Sequence, residues 1–149
     1  MVLDTSSLIS LAWAGRLPLL SLLPVEPVIL DSVFTEAVTQ GRTRGHADAA
    51  AIESALVDLE RIHDEPVGSV DARVVRAAEQ VGTVVANDQA LGRRAASCGA
   101  RWLRTADLVL IGFHTERLSA QSARSAVLAL HGAGRLTERL RDEYLEVLR

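Results

Sequence analysis

The sequence predicts an α/β protein, with a mostly parallel central sheet flanked by helices and a helical C-terminal appendage. Three observations carry this. Short apolar runs of the buried-strand type, around Val2-Leu3, Pro27–Leu30 and Thr83–Ala86, alternate with longer segments of helical spacing. Twice such a run leads into an acid that opens the next helix, at Asp4 and at Asp88. From Ala106 onward the pattern is helical only. Without internal repeats or a linker long enough to split it, the chain reads as one domain, with a core over about 1–115 and the appendage over about 116–149.

In order, the first strand is Val2–Asp4. Short helices follow over Leu8–Ala14 and Leu17–Leu23, punctuated by Gly15 and Pro18. Pro27–Leu30 is the second strand, and Asp31 or Ser32 can cap a helix that runs to about Gln40. Gly41–Gly45 reads as a loop, and Ala47–Leu59 as a helix with Ile52, Leu56 and Leu59 in register. Arg61–His63 is a short edge strand ended by Pro66 and Gly68. A helix over about Ser69–Val81, a strand at Thr83–Ala86, a helix opened by Asn87-Asp88 and closed by Gly99, and a last strand at Arg101–Arg104 complete the alternation.

Composition narrows the function. The 149 residues are 48% hydrophobic, enough for a real core, and only 3% aromatic, so base-stacking platforms are scarce. All 16 cationic side chains are arginine. With no lysine, P-loop NTPases, Schiff-base enzymes and lysine-dependent aspartyl-phosphate folds are excluded. A net charge of -3 gives no global attraction to nucleic acid, which leaves any such contact to local patches. No apolar run is long enough to span a bilayer, and no signal peptide is expected. The single cysteine, Cys98, reads as a small filler near a helix end and suits a reducing cytoplasm.

Four acids stand at strand–helix junctions or on helices beside them. Asp4 and Asp88 follow strands, and each can be read as a helix N-cap or as a site residue. Ser6 or Ser7 could cap the first helix without Asp4. Glu36 borders the apolar stripe of its helix, where a surface glutamate is the plain alternative. Asp71 lies in a first helical turn, where an acid also favours the helix dipole. The set says more than any member. Converging carboxylates repel and raise one another's pKa unless a cation neutralises them. A hard divalent ion with oxygen ligands and residual waters is the natural occupant of such a set.

Several stretches together resemble a PIN domain: Val2-Leu3-Asp4-Thr5-Ser6-Ser7-Leu8-Ile9, Val33-Phe34-Thr35-Glu36-Ala37-Val38, the Asp71 helix and Val84-Val85-Ala86-Asn87-Asp88. The resemblance covers about Val2 to Leu110. Ala12-Trp13-Ala14-Gly15-Arg16-Leu17-Pro18-Leu19-Leu20 is similar to a segment of VapC-like toxins. It implies a Mg²⁺- or Mn²⁺-dependent ribonuclease with Asp4, Glu36, Asp71 and Asp88 as catalytic and metal-binding residues, and Ser6 and Asn87 in support. It also implies an RNA substrate and a small VapB-like antitoxin, held in the acidic cleft and against the apolar helices Leu8–Leu23 and the Leu-rich tail. Those leucines can equally be core or a homodimer contact. Two departures stand out: Ala86 replaces a residue that is often hydroxylated, and Asp71 stands where the subgroup often has glutamate. A PIN-fold scaffold without catalysis is the alternative function.

Arg42 and Arg44, in the glycine-bounded loop, and Arg93-Arg94 beyond Asp88 are candidate phosphate contacts, against the alternative of a solvated loop and helix face. Trp13 and Trp102 read as core or interface residues, and Asp107 as a first-turn acid or a fifth acid near the site. The four histidines lack metal-ligand spacing and receive no role.

Overall fold

The computed structural model describes residues 1–149. Five short strands, β1 (Val2–Leu3), β2 (Val28–Leu30), β3 (Glu60–Ile62), β4 (Thr83–Val85) and β5 (Arg101–Leu103), form one sheet in the order β3-β2-β1-β4-β5. Every pairing is parallel, with Val2 opposite both Val28 and Val84, and Leu3 opposite Val85. β1 is therefore central and its two residues are fully buried, as a continuous apolar pair in a covered parallel sheet must be. From β1 the chain winds first towards β3 and then, on the other side, towards β5. The crevice between the ends of β1 and β4 is thus the topological switch point, where open α/β sheets place their ligands.

The helices are α1 (Thr5–Trp13), α2 (Asp31–Phe34), α3 (Gly41–Thr43), α4 (Ala49–Leu56), α5 (Val70–Val81), α6 (Gln89–Ser97), α7 (Asp107–His114), α8 (Ala120–Gly132) and α9 (Glu138–Val147), with a 3₁₀ segment at Leu17–Leu22. None is long and apolar enough to cross a membrane. One core of buried hydrophobic side chains runs from Val2 to Leu148 and includes Leu130, Leu136 and Tyr144 of the C-terminal segment. α9 is tied down by the Tyr144 hydroxyl, which donates to Asp107 Oδ1, while Asp107 Oδ2 accepts the Arg104 N–H at 2.7 Å. Asp107 is therefore a structural lock rather than a fifth site acid. Burial and this carboxylate together push the Tyr144 phenol well above its usual pKa.

The structure departs from the sequence reading in identifiable places. α1 starts at Thr5, not Leu8, because Asp4 itself caps it. α2 opens directly off β2, so neither Asp31 nor Ser32 caps it. Instead the Ser32 N–H donates to Asp64 Oδ1 across the sheet end at 3.0 Å. Asp64 also pairs with Arg73, and bonds to Ser32 and Arg73 hold its carboxyl below the usual range against the opposing effect of burial. Beyond α2 the helix continues as a π-helical stretch, Thr35–Gln40, and runs on through α3, where the glycines predict a loop. Gly41 is there for packing, since an added Cβ would stand 3.2 Å from Ala49 Cβ on α4. Leu17, Leu19, Leu20 and Leu23 are core residues, which removes most of the expected apolar partner face. Cys98 is exposed, not a filler, and Trp13 is 58% exposed.

Candidate active site

Helices that alternate with parallel strands run antiparallel to them, so helix N-termini gather at the C-terminal ends of the strands. This geometry brings Asp4, Asp88, Asp71 and Glu36 to the same end of the sheet. Asp4 follows β1 and Asp88 follows β4, on the two sides of the switch point. Asp71 lies in the first turn of α5, whose N-cap is Ser69, and Glu36 in the π-helical stretch that extends α2. Such stretches often mark functional sites.

Ser6 links the two strand ends. Its Oγ donates to Asp4 Oδ2 at 2.6 Å and accepts the Asn87 N–H at 3.1 Å and the Asp88 N–H at 3.4 Å. The Ser6 N–H also reaches Asp4 Oδ2, at 3.2 Å. Both Ser6 bonds fall on one Asp4 oxygen, so they do not use up the carboxylate. Asp88 likewise caps α6 through Oδ1, which accepts the Leu91 N–H at 3.0 Å. The capping and site readings of these two acids are therefore compatible. Next to Asp4, Thr5 Oγ1 donates to Glu36 Oε2 at 2.5 Å and ties the third acid to the first.

Asp4 is only 4% exposed. Burial raises its carboxyl above the usual aspartate range, bonds to Ser6 and Thr5 oppose this, and the negative charge of Asp71 adds to the rise. The last effect places Asp71 within electrostatic reach of Asp4. No group of three or more Asp, Glu, His or Cys side chains is arranged so that it could hold a metal ion alone. An all-oxygen donor set still fits Mg²⁺, which is commonly held by one or two carboxylates together with waters and substrate phosphate. A buried carboxylate that resists ionisation is also where a cation relieves the most repulsion.

Asn87, which the sequence marks only as a supporting residue, is a hub. Its Nδ2 donates to Ser10 Oγ at 2.8 Å and its Oδ1 accepts the Thr105 N–H at 3.1 Å. Thr105 is fully buried and its hydroxyl donates to Ser7 Oγ, so the ends of β4 and β5 are pinned to α1 by hydroxyls and one amide. The sequence offers Ser7 only as a cap and gives Ser10 and Thr105 no role. The one available signal is a run of small hydroxylated residues on a helix otherwise rich in leucine. Ala86, just past β4, offers Asp88 no hydroxyl, and the polar contact to Asp88 from this side comes from Ser6 Oγ.

The arginines divide. Arg42 is paired with Glu53 on the surface and is not free for a phosphate. Arg44 lines a cavity of about 230 Å³ together with Thr5, Glu36 and Trp13. Arg93 and Arg94 are exposed on α6, and Arg93 donates to Gln89 Oε1 at 3.3 Å. Trp102 is half-buried over Gly92, and its Nε1–H donates to the Ala86 carbonyl at 2.9 Å, which steadies the approach to Asp88.

No curated protein and no solved structure gives a significant match to the chain. A family model described as PIN domain matches residues 1–148, the C-terminal helices included. A five-stranded parallel sheet with acids at its switch point and a full-length family match lead to one conclusion: the chain belongs to the PIN-domain family, whose fold is generally that of a nuclease.

Proposed function

We propose that this protein is a divalent-metal-dependent endoribonuclease that hydrolyses RNA phosphodiester bonds, and that it is the toxin of a type II toxin–antitoxin pair acting in the cytoplasm. The observation that carries the reading is the Ser6 bridge, which holds a buried Asp4 beside Asp88 across the switch point. Asp4 and Asp88 would hold Mg²⁺ or Mn²⁺ with waters and a substrate phosphate completing the shell, and Glu36 and Asp71 would add negative charge at the same strand end. A bound ion would supply positive charge that favours the ionised form of the buried Asp4 and would polarise the phosphate under attack.

The protein's own residues do the rest. Ser6 fixes the Asp4 carboxylate and lowers the cost of its charge. Thr5 holds Glu36 against the same helix end, and Asn87 with Thr105 keeps the β4 and β5 ends in register with α1. Arg44 stands beside Glu36 as a cation for the RNA backbone. The toxin assignment draws support from the Ala12–Leu20 segment, similar to that of VapC-like toxins. A VapB-like antitoxin segment would seat a guanidinium among the acids and apolar side chains in the cavity of about 400 Å³ bordered by the partly exposed Leu22 and Leu118.

The test is cleavage of single-stranded RNA by the purified chain in Mg²⁺, beside Asp4→Asn. Asparagine still caps α1, so the variant folds, and its rate falls by at least roughly 10²-fold. Expression arrests growth, and co-expression of a small reading frame adjacent to the gene restores it. A folded wild-type chain that neither cleaves RNA nor slows growth would instead mark a PIN-fold scaffold.

A further inference from the structure

Arg135 lies in the turn between α8 and α9, far in sequence from the four acids. Its backbone is held at both ends, because its N–H donates to the Leu130 carbonyl at 2.9 Å and its carbonyl accepts Asn87 Nδ2 at 3.4 Å. Gly134, at φ +70°, makes the tight turn that this requires. The guanidinium sits over the Trp13 ring, 4.0 Å from its centroid, and Trp13 is itself steadied by a bond from Nε1 to Asp48 Oδ2 at 3.2 Å. This explains why a tryptophan remains 58% exposed on α1. It is a shelf for a cation rather than part of the core.

Arg135 has nothing to neutralise. It belongs to no ion pair of the chain, and its Nε is buried without a hydrogen-bond partner. The buried Nε is out of an anion's reach, but the Nη groups donate to no group of the chain, so the fixed charge is left for an incoming anion. It also borders two cavities, the one holding Thr5, Glu36 and Arg44, and another of about 320 Å³ holding Asn87, Gln89 and Arg104. Arg135 thus stands between the two halves of the strand-tip site. We propose that Arg135, presented on Trp13 by the C-terminal helices, is a phosphate-binding residue that seats the RNA backbone over the acidic site. A planar guanidinium suits the task because it grips two phosphate oxygens at once.

The inference rests on the ribonuclease reading, and the experiment separates the two. Fluorescein-labelled single-stranded RNA is titrated with Asp4→Asn protein, which binds without cutting, at several salt concentrations, with and without Arg135→Gln. Arg135→Gln weakens binding about tenfold, the loss of one charge-assisted bond. It also makes the slope of log K against log salt shallower by about 0.7, the share of one phosphate contact on a single strand. Arg135→Lys, which keeps the charge should the glutamine variant fold poorly, restores the slope and only part of the affinity. Trp13→Leu weakens binding and leaves the slope unchanged. If wild type cleaves RNA while Arg135→Gln alters only Tm, with affinity and slope intact, Arg135 is structural and the inference fails alone. If wild type neither binds nor cleaves RNA, both readings fail.

Discussion

Replacing Ser6 with alanine removes one oxygen atom and three interactions. The Oγ–H bond to the Asp4 carboxylate is lost, a charge-assisted bond worth about 1.5–3 kcal/mol. The Asn87 N–H, at 3.1 Å, loses its acceptor, and an unsatisfied buried donor costs about 1–3 kcal/mol. The longer contact to the Asp88 N–H, at 3.4 Å, adds little. Partial exposure of this region keeps the total near the lower bounds, roughly 3 kcal/mol, so Tm falls on the order of 6–12 °C for a chain of this size. Because Ser6 opposes the effect of burial on Asp4, its loss moves that carboxyl further up from the ordinary aspartate value. The acidic limb of the pH–rate profile then shifts to higher pH. Ser6→Thr, which keeps a hydroxyl, recovers most of both effects. Calorimetry and a pH series of RNA cleavage test this. A Ser6→Ala Tm within about 2 °C of wild type, with the acidic limb unmoved, would refute the role given to the bridge.

Asp4→Asn separates stability from activity. The folded-state pKa of Asp4 is raised, so wild type loses stability as pH rises from the unfolded to the folded value and stays penalised above it. Without divalent metal, Asp4→Asn is therefore at least as stable as wild type at neutral pH, and the difference closes as pH falls below the ordinary aspartate range. A neutral-pH Tm well below wild type would contradict this. Gly92→Ala drives a Cβ into the Trp102 ring, and displacing that ring costs about 1–3 kcal/mol, more than the helix gains from alanine. Urea unfolding should show net destabilisation with altered Trp102 emission, and a more stable variant would be incompatible with this packing. Arg42→Ala, which loses only an exposed ion pair with Glu53, changes stability by less than about 0.5 kcal/mol and leaves RNA affinity intact, whereas Arg44→Ala weakens it. Equal losses from the two would dissolve the distinction between them.

Much of this architecture is legible because it is local. The apolar pair and helix-opening acid of Val2–Asp4 repeat in kind at Val84–Asp88, and each records a strand end and a helix start within a few residues. Parallel order follows from the alternation. What escapes the sequence depends on contacts across the chain. Gly41 reads as a loop residue because its partner, Ala49, reaches it only through the packing of α3 on α4. The π-helical geometry around Glu36 has no compositional mark in Thr35–Gln40. Asp64 satisfies the N–H of Ser32, a first-turn residue of α2 that lies 32 positions earlier. Trp13 and Arg135 stand near opposite ends of the chain, and nothing beside either one announces the other.

If the acids at the strand tips hold a divalent cation needed for phosphodiester cleavage, the Mg²⁺ dependence of RNA cleavage must differ between wild type and Asp88→Asn. An asparagine side chain at this position still caps α6, so the variant keeps its fold while the site loses one negative ligand. Mg²⁺ should activate wild type saturably, excess chelator should abolish cleavage, Mn²⁺ should restore it, and Asp88→Asn should need at least roughly tenfold more Mg²⁺. Cleavage that survives the chelator, or an identical Mg²⁺ curve for the two proteins, would contradict it.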